Sequence, residues 1–85
     1  SPEEQTMWIL RSWITKKVRR NDGYDISLIR RDFLLDTGLR LDLESLGYKS
    51  LRAFIFEELS DVVTLKPSVR YKNVWKIWQT PVKCS

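Results

Sequence analysis

The stretch SLRAFIFEELSDVVTLKPSVRYKNVWKIW, Ser50–Trp78, decides the fold. Ser50 is a helix-capping residue, and the apolar spacing from Leu51 to Leu59 is helical. Val62-Val63-Thr64-Leu65 is then a β-branched run ended by Pro67. Val74-Trp75-Lys76-Ile77-Trp78 is a second strand-like run, ended by Pro81. The connection from Lys66 to Asn73 is polar and basic. Two such runs predict an antiparallel hairpin directly after a helix.

Upstream of this stretch the chain reads as helix and turn. Ser1-Pro2-Glu3-Glu4 combines a cap residue, Pro at the first helical position and acids in the first turn. Met7, Leu10, Ile14 and Val18 follow on one helical face, which Ile9 and Trp13 widen. Trp8 lies roughly 100° from Met7 on the wheel and is expected to be partly exposed. The helix is expected to end near Arg20, before Asn21-Asp22-Gly23. Tyr24-Asp25-Ile26 reads as extended, and Ser27 as the cap of a second helix that reaches about Thr37 and stops at Gly38. Leu39-Arg40-Leu41 alternates like a short strand. Asp42 is placed to cap one helical turn, Leu43 to Leu46, ended by Gly47.

The fold class expected from this order is α+β, mostly helical. Helices followed by a hairpin are the order of a winged helix, a helix-turn-helix core plus a C-terminal β-hairpin wing. Eighty-five residues suffice for one domain, expected over residues 1–80, with 81–85 a tail leading into the rest of a longer protein. Apolar residues make up 42%, with four Trp, three Tyr and three Phe, which supports a folded core. No run approaches a membrane span, and no membrane partner is expected. The single cysteine, Cys84, allows no intrachain disulfide and fits a reducing compartment.

Composition argues against an enzyme. The chain has no His, so Ser-His and Cys-His nucleophile systems are absent. One terminal Cys offers no zinc site, and three isolated Gly offer no phosphate-cradling loop. No metal or other cofactor is expected. Asp32 and Asp36, at i and i+4, have the spacing of an acid–base pair, but charged residues mostly stay exposed and the two are expected to be solvated helix-surface acids.

The net charge of +4 and pI near 9.5 permit a nucleic-acid footprint. Lys16, Lys17, Arg19 and Arg20 crowd the end of the first helix, either as a phosphate patch or as cations complementing the helix dipole. In the expected wing, Lys66, Arg70, Lys72 and Lys76 stand with Tyr71 and Trp75 interleaved, a pattern that suits stacked bases and paired phosphates, with Lys66, Arg70, Tyr71 and Lys72 the expected nucleic-acid contacts. Solvated lysines guarding a sheet edge would look the same. From Lys49 to Asp61 two cations face three acids, so sequence-specific reading of duplex DNA is not expected.

The second helix carries more apolar residues than one buried face requires. Ile29 and Phe33 make one patch; Leu28, Leu34 and Leu35, with Arg31 among them, make another. If the first faces the core, the second faces a partner. The alternative is a central helix packed on both sides. The strand Val74, Trp75, Lys76, Ile77, Trp78 is expected at a sheet edge, where symmetric pairing would give a homodimer. Lys76 in its middle either blunts that edge or meets an acid across the interface.

The run Phe33…Gly38…Leu41…Leu46-Gly47-Tyr48…Ser50-Leu51…Ala53-Phe54 resembles the LOTUS domain, also called OST-HTH. Asp61-Val62-Val63 resembles the strand that follows it. The resemblance spans roughly Met7 to Trp78. One departure is Asp42, where the family usually has Pro. The resemblance implies a winged-helix fold and a cytoplasmic protein of germ granules or germ plasm. Some members bind the C-terminal RecA-like domain of the DEAD-box RNA helicase Vasa and stimulate its ATPase. Others bind RNA, including G-quadruplexes, and self-association occurs in the family. The helicase contact of Vasa-binding members falls on the second helix, matching Leu28, Arg31, Leu34 and Leu35. An additional C-terminal helix, also used there, would begin no earlier than Val82.

Overall fold

A computed structural model of the protein describes residues 1–81; Cys84 and the expected tail from Val82 onward lie outside the described residues. Helix α1 spans Pro2–Arg20, with the Ser1 hydroxyl accepting from the Glu4 amide at 3.3 Å. Strand β1 is only Tyr24–Asp25. A single 3₁₀ turn, Ile26–Leu28, leads into α2, Ile29–Thr37. Asp25, rather than the expected Ser27, caps this turn, because its carboxylate accepts from the Ser27 amide at 2.9 Å. Gly38 ends α2 at φ +75°, a left-handed conformation that suits glycine.

Leu39-Arg40-Leu41 forms no strand. It is an irregular connection that buries Leu41. Leu43 to Leu46 form a turn, not a regular helix, held by the Asp42 carboxylate on the Ser45 amide and closed at Gly47. Helix α3 is Leu51–Glu58, with the Ser50 hydroxyl accepting from the Ala53 amide at 3.1 Å. Strands β2, Val63–Pro67, and β3, Trp75–Gln79, complete an antiparallel hairpin. Three helices and a three-stranded antiparallel sheet thus make an α+β fold about half helical.

The sheet order is β1-β3-β2, so β3 is the central strand. This corrects the expectation that Val74, Trp75, Lys76, Ile77 and Trp78 form an edge. Tyr24 pairs with Ile77 and Asp25 with Lys76, which places the acid opposite Lys76 within the same chain. The sequence signal for β1 is two residues long and carries too little alternation to identify a strand. β1 is held by its corner. Gly23 (φ +89°) brings backbone so close to Trp78 that an added Cβ would lie 2.9 Å from its ring. The Trp78 indole donates to Asp22 at 3.2 Å.

The core lies between the helices and one sheet face. Leu10, Ile14 and Val18 come from α1, Ile29 and Phe33 from α2, Phe54, Ile55 and Leu59 from α3, and Val63 and Ile77 from the sheet. Burying each such side chain contributes on the order of 1.5–3 kcal/mol. Ile9, expected on the buried face of α1, is exposed because the packed stripe is narrow and centred on Leu10, Ile14 and Val18. No helix of the described residues is long and apolar enough to cross a membrane.

Candidate functional site: the outward face of helix α2 and the adjoining groove

Helix α2 is apolar on two sides, and the core takes only one of them. Ile29 is 1% exposed and Phe33 0%, whereas Leu34 is 40% and Leu35 74% exposed. Arg31 also points to solvent, its Nε donating to Asp32 at 3.0 Å. Leu28 is half-buried at the start of the helix, against the core. The four residues expected to meet a partner therefore divide: Arg31, Leu34 and Leu35 are open, and Leu28 is partly covered.

The acids of α2 lie at the surface, Asp36 exposed and Asp32 partly covered, but each is engaged by another element and they do not act on each other. Asp32 accepts from the Tyr24 hydroxyl, and Asp36 accepts from the Trp13 indole at 2.8 Å and meets Lys17 at 3.3 Å. The Tyr24 hydrogen bond, ahead of Arg31, holds Asp32 below the usual carboxylate range. The Trp13 and Lys17 hydrogen bonds do the same for Asp36. Both acids stay ionised at neutral pH and join α2 to α1 and β1. Among the described residues no cluster of three or more metal-ligating side chains occurs.

A groove of about 440 Å³ adjoins this face, between the last turns of α1, the start of α2 and the β2–β3 loop. Leu28 and Asp32 line one wall, Tyr71, Val74 and Lys76 another, and Lys17 and Asn21 the end. One residue of the expected helicase set, one of the expected RNA set and two of the β3 set thus share one concavity. Lys66, Arg70 and Lys72 are exposed, and no carboxylate lies within 4 Å of them among the described residues. The Arg70 guanidinium stacks over Tyr71 at 5.5 Å. Lys66 and Lys76 are direct cross-strand partners, an opposition of like charges.

The basic end of α1 divides as well. Lys17 is engaged by Asp36 and lies 5.6 Å from the Trp13 ring, while Lys16, Arg19 and Arg20 extend from the last turns. On the α3 side, Arg11 makes a two-pronged contact with Asp61 and donates to the Glu58 carbonyl at 3.0 Å. Glu58 in turn accepts from the Tyr48 hydroxyl. Two of the three acids counted between Lys49 and Asp61 are therefore occupied by partners within the chain. Sequence reading missed Phe56, which is exposed on α3. Its signal was present: at ~100° per residue Phe56 falls beyond the arc that holds Phe54, Ile55 and Leu59.

No protein-family model, curated protein or solved structure matches the chain.

Proposed function

We propose that this chain is a winged-helix module of the LOTUS type, serving a germ-granule protein of the cytoplasm, and that it binds the C-terminal RecA-like domain of a Vasa-like DEAD-box RNA helicase. The docking surface is the outward face of α2: Arg31, Leu34 and Leu35, with Leu28 at its border. The observation that supports this reading is the division of one short helix. Ile29 and Phe33 are sealed in the core while Leu34 and Leu35, beside them in sequence, are left to solvent. An apolar pair flanking an arginine is the composition of an interface centre, where apolar contact supplies affinity and the cation supplies orientation. Stimulation of the helicase ATPase follows if docking biases the closure of its two RecA-like halves.

The test is a titration of this chain against the two RecA-like halves separately. Saturable binding to the C-terminal half, lost with Leu34→Glu and Leu35→Glu together, is expected. Equal binding of the double variant would remove α2 from the interface. Absence of binding at high micromolar concentration would sink the reading.

A second reading, an RNA-binding module, draws on Lys66 and Lys76. Opposed cations on neighbouring strands cost stability unless an anion sits between or above them. Asp25 stands opposite Lys76 on its other side, which leaves Lys66 as the cation without an acid opposite it among the described residues; with Arg70, Lys72 and the Tyr71 ring close by in sequence, its anion would be an RNA phosphate, with a base free to stack. Affinity for a G-quadruplex or a single strand would then fall steeply with salt. Salt-independent binding, or none, removes this reading. Neither reading requires a cofactor or a covalent step.

A further inference from the structure

Two surfaces carry large exposed apolar side chains outside the core and the α2 face, Trp8 on one and Val69 with Tyr71 on the other. The first is a groove of about 350 Å³ along the first half of α1. Met7, Trp8 and Leu46 form its apolar part, and Trp8 is 74% exposed. Glu3, Glu4 and Glu58 surround them. The one cation in the lining, Arg11, is already engaged by Asp61 and the Glu58 carbonyl. The groove therefore presents an indole and aliphatic groups under excess negative charge.

The second surface is the tip of the β2–β3 loop. Val69 is fully exposed and Tyr71 about half exposed, with Arg70 stacked on the Tyr71 ring. Neither Arg70 nor Lys72 has a carboxylate within 4 Å among the described residues. The Ser68 hydroxyl accepts from the Arg70 and Tyr71 amides, which shapes the tip as a defined turn. The loop thus alternates two apolar groups with two cations that have no carboxylate partner among the described residues, the complement of the groove in both charge and chemistry.

The two surfaces are held apart. Tyr71 shares a groove with Lys17 and Asn21, at the end of α1, while the acidic groove lies around Met7 and Trp8. Ten residues of helix separate Met7 from Lys17, a rise of about 15 Å. The loop sits away from the groove of its own chain.

We propose that the β2–β3 loop of one copy docks into the acidic groove of the next. Val69 and Tyr71 cover Trp8 and Met7, while Arg70 and Lys72 face Glu3 and Glu4. The contact is heterologous, so each added copy leaves one free loop and one free groove. Assembly then extends from copy to copy instead of closing at two. The contact is small and charge-assisted, which makes it weak and sensitive to salt. It leaves the α2 face open and does not depend on the helicase reading.

Sedimentation over a concentration series tests this. For the unaltered chain, weight-average mass should pass two copies at millimolar concentration in low salt and return to one copy in high salt. Trp8→Glu removes the groove, and Arg70→Glu with Lys72→Glu removes the loop; each variant alone should stay a single copy. Mixed in equal amounts, the intact loop of the first variant meets the intact groove of the second. The mass should then rise to two copies and stop there. If Trp8→Glu fails to fold, Trp8→Ser with Glu3→Gln and Glu4→Gln serves as the groove variant. A chain that remains a single copy throughout overturns the proposal. So does a plateau at two copies for the unaltered chain, the mark of a closed dimer through the β2 edge. An equal mixture that stays unassociated, or association that ignores salt, overturns it too.

Discussion

The indole Nε1–H of Trp13 on α1 donates to Asp36 Oδ2 on α2 at 2.8 Å, and the Trp13 ring stands edge-on to Phe33 at 5.3 Å. The same ring lies 6.2 Å from Tyr24, whose hydroxyl bonds Asp32 one turn earlier on α2. These contacts set the rotation of α2 about its axis. They draw Asp32 and Asp36 toward α1 and β1, seal Phe33 in the core and leave Leu34 and Leu35 outward. The proposed docking face owes its direction to this clamp.

The clamp makes stability depend on pH in a definite direction. Hydrogen bonds from Tyr24, Trp13 and Arg11 hold Asp32, Asp36 and Asp61 below the ordinary carboxylate value. A carboxyl depressed in the folded state adds stability above its unfolded pKa, near ~4, and that stability is lost as pH falls through the folded value. At the other extreme, the bond to Glu58 raises Tyr48 to about 12, and burial raises Tyr24 further still. Their contributions are present below the unfolded tyrosine pKa of ~10 and lost as pH rises beyond it. The thermal midpoint should be flat from about pH 5 to about pH 9 and decline on both sides. Asp36→Asn should shallow the acid limb and Tyr48→Phe the alkaline one. Unchanged limbs would show that these bonds do not persist in solution.

Neighbouring substitutions on α2 should separate stability from docking. Phe33→Ala is expected to cost about 3–5 kcal/mol, because it empties a fully enclosed site. Leu35→Glu should change stability by less than about 0.5 kcal/mol, as an exposed substitution. Chemical denaturation of both variants checks this. A Leu35→Glu variant as unstable as Phe33→Ala would place Leu35 in the core and end the docking argument.

Glycines 23 and 38 share positive φ but not surroundings. At Gly38 nothing lies within 4 Å of an added Cβ, so Gly38→Ala should cost only the left-handed conformation, about 1–2 kcal/mol. At Gly23 the same Cβ would stand 2.9 Å from the Trp78 ring. Gly23→Ala should therefore cost more than Gly38→Ala and quench or shift Trp78 fluorescence. Equal losses would mean that the Trp78 ring yields freely.

Lys66→Glu offers a separation of another kind. It turns the Lys66–Lys76 opposition into an opposite-charge pair, expected to add about 0.2–1 kcal/mol of stability. If RNA uses this face, the same change should weaken RNA binding and lower the salt slope. A variant that is more stable and still binds RNA normally would clear the sheet face of any RNA role.

Much of the secondary structure was legible locally. Ser1-Pro2, Gly38 and Ser50 mark helix boundaries through hydrogen bonds and φ values that belong to adjacent residues. The two β-branched runs and the two-sided apolar character of α2 are likewise local patterns. Of the candidate site, the sequence marked Leu34 and Leu35 as surplus to one face, and the tertiary contacts left them outward.

The relations between distant segments were not legible. Tyr24-Asp25 becomes a strand only because β3 lies alongside, and that pairing moves Trp75 to Trp78 from an expected edge to the sheet centre. Asp32 and Asp36 look like surface acids until Tyr24 and Trp13 arrive from elsewhere in the chain. Leu28, Tyr71 and Lys76 share a groove across more than forty positions of sequence. The amino-acid order by itself determined the three helices and the two strands of the hairpin, because periodicity and capping act over a single turn. Which faces remain free was decided by the packing of segments far apart in the chain, where a two-residue strand or one indole hydrogen bond leaves no periodic trace.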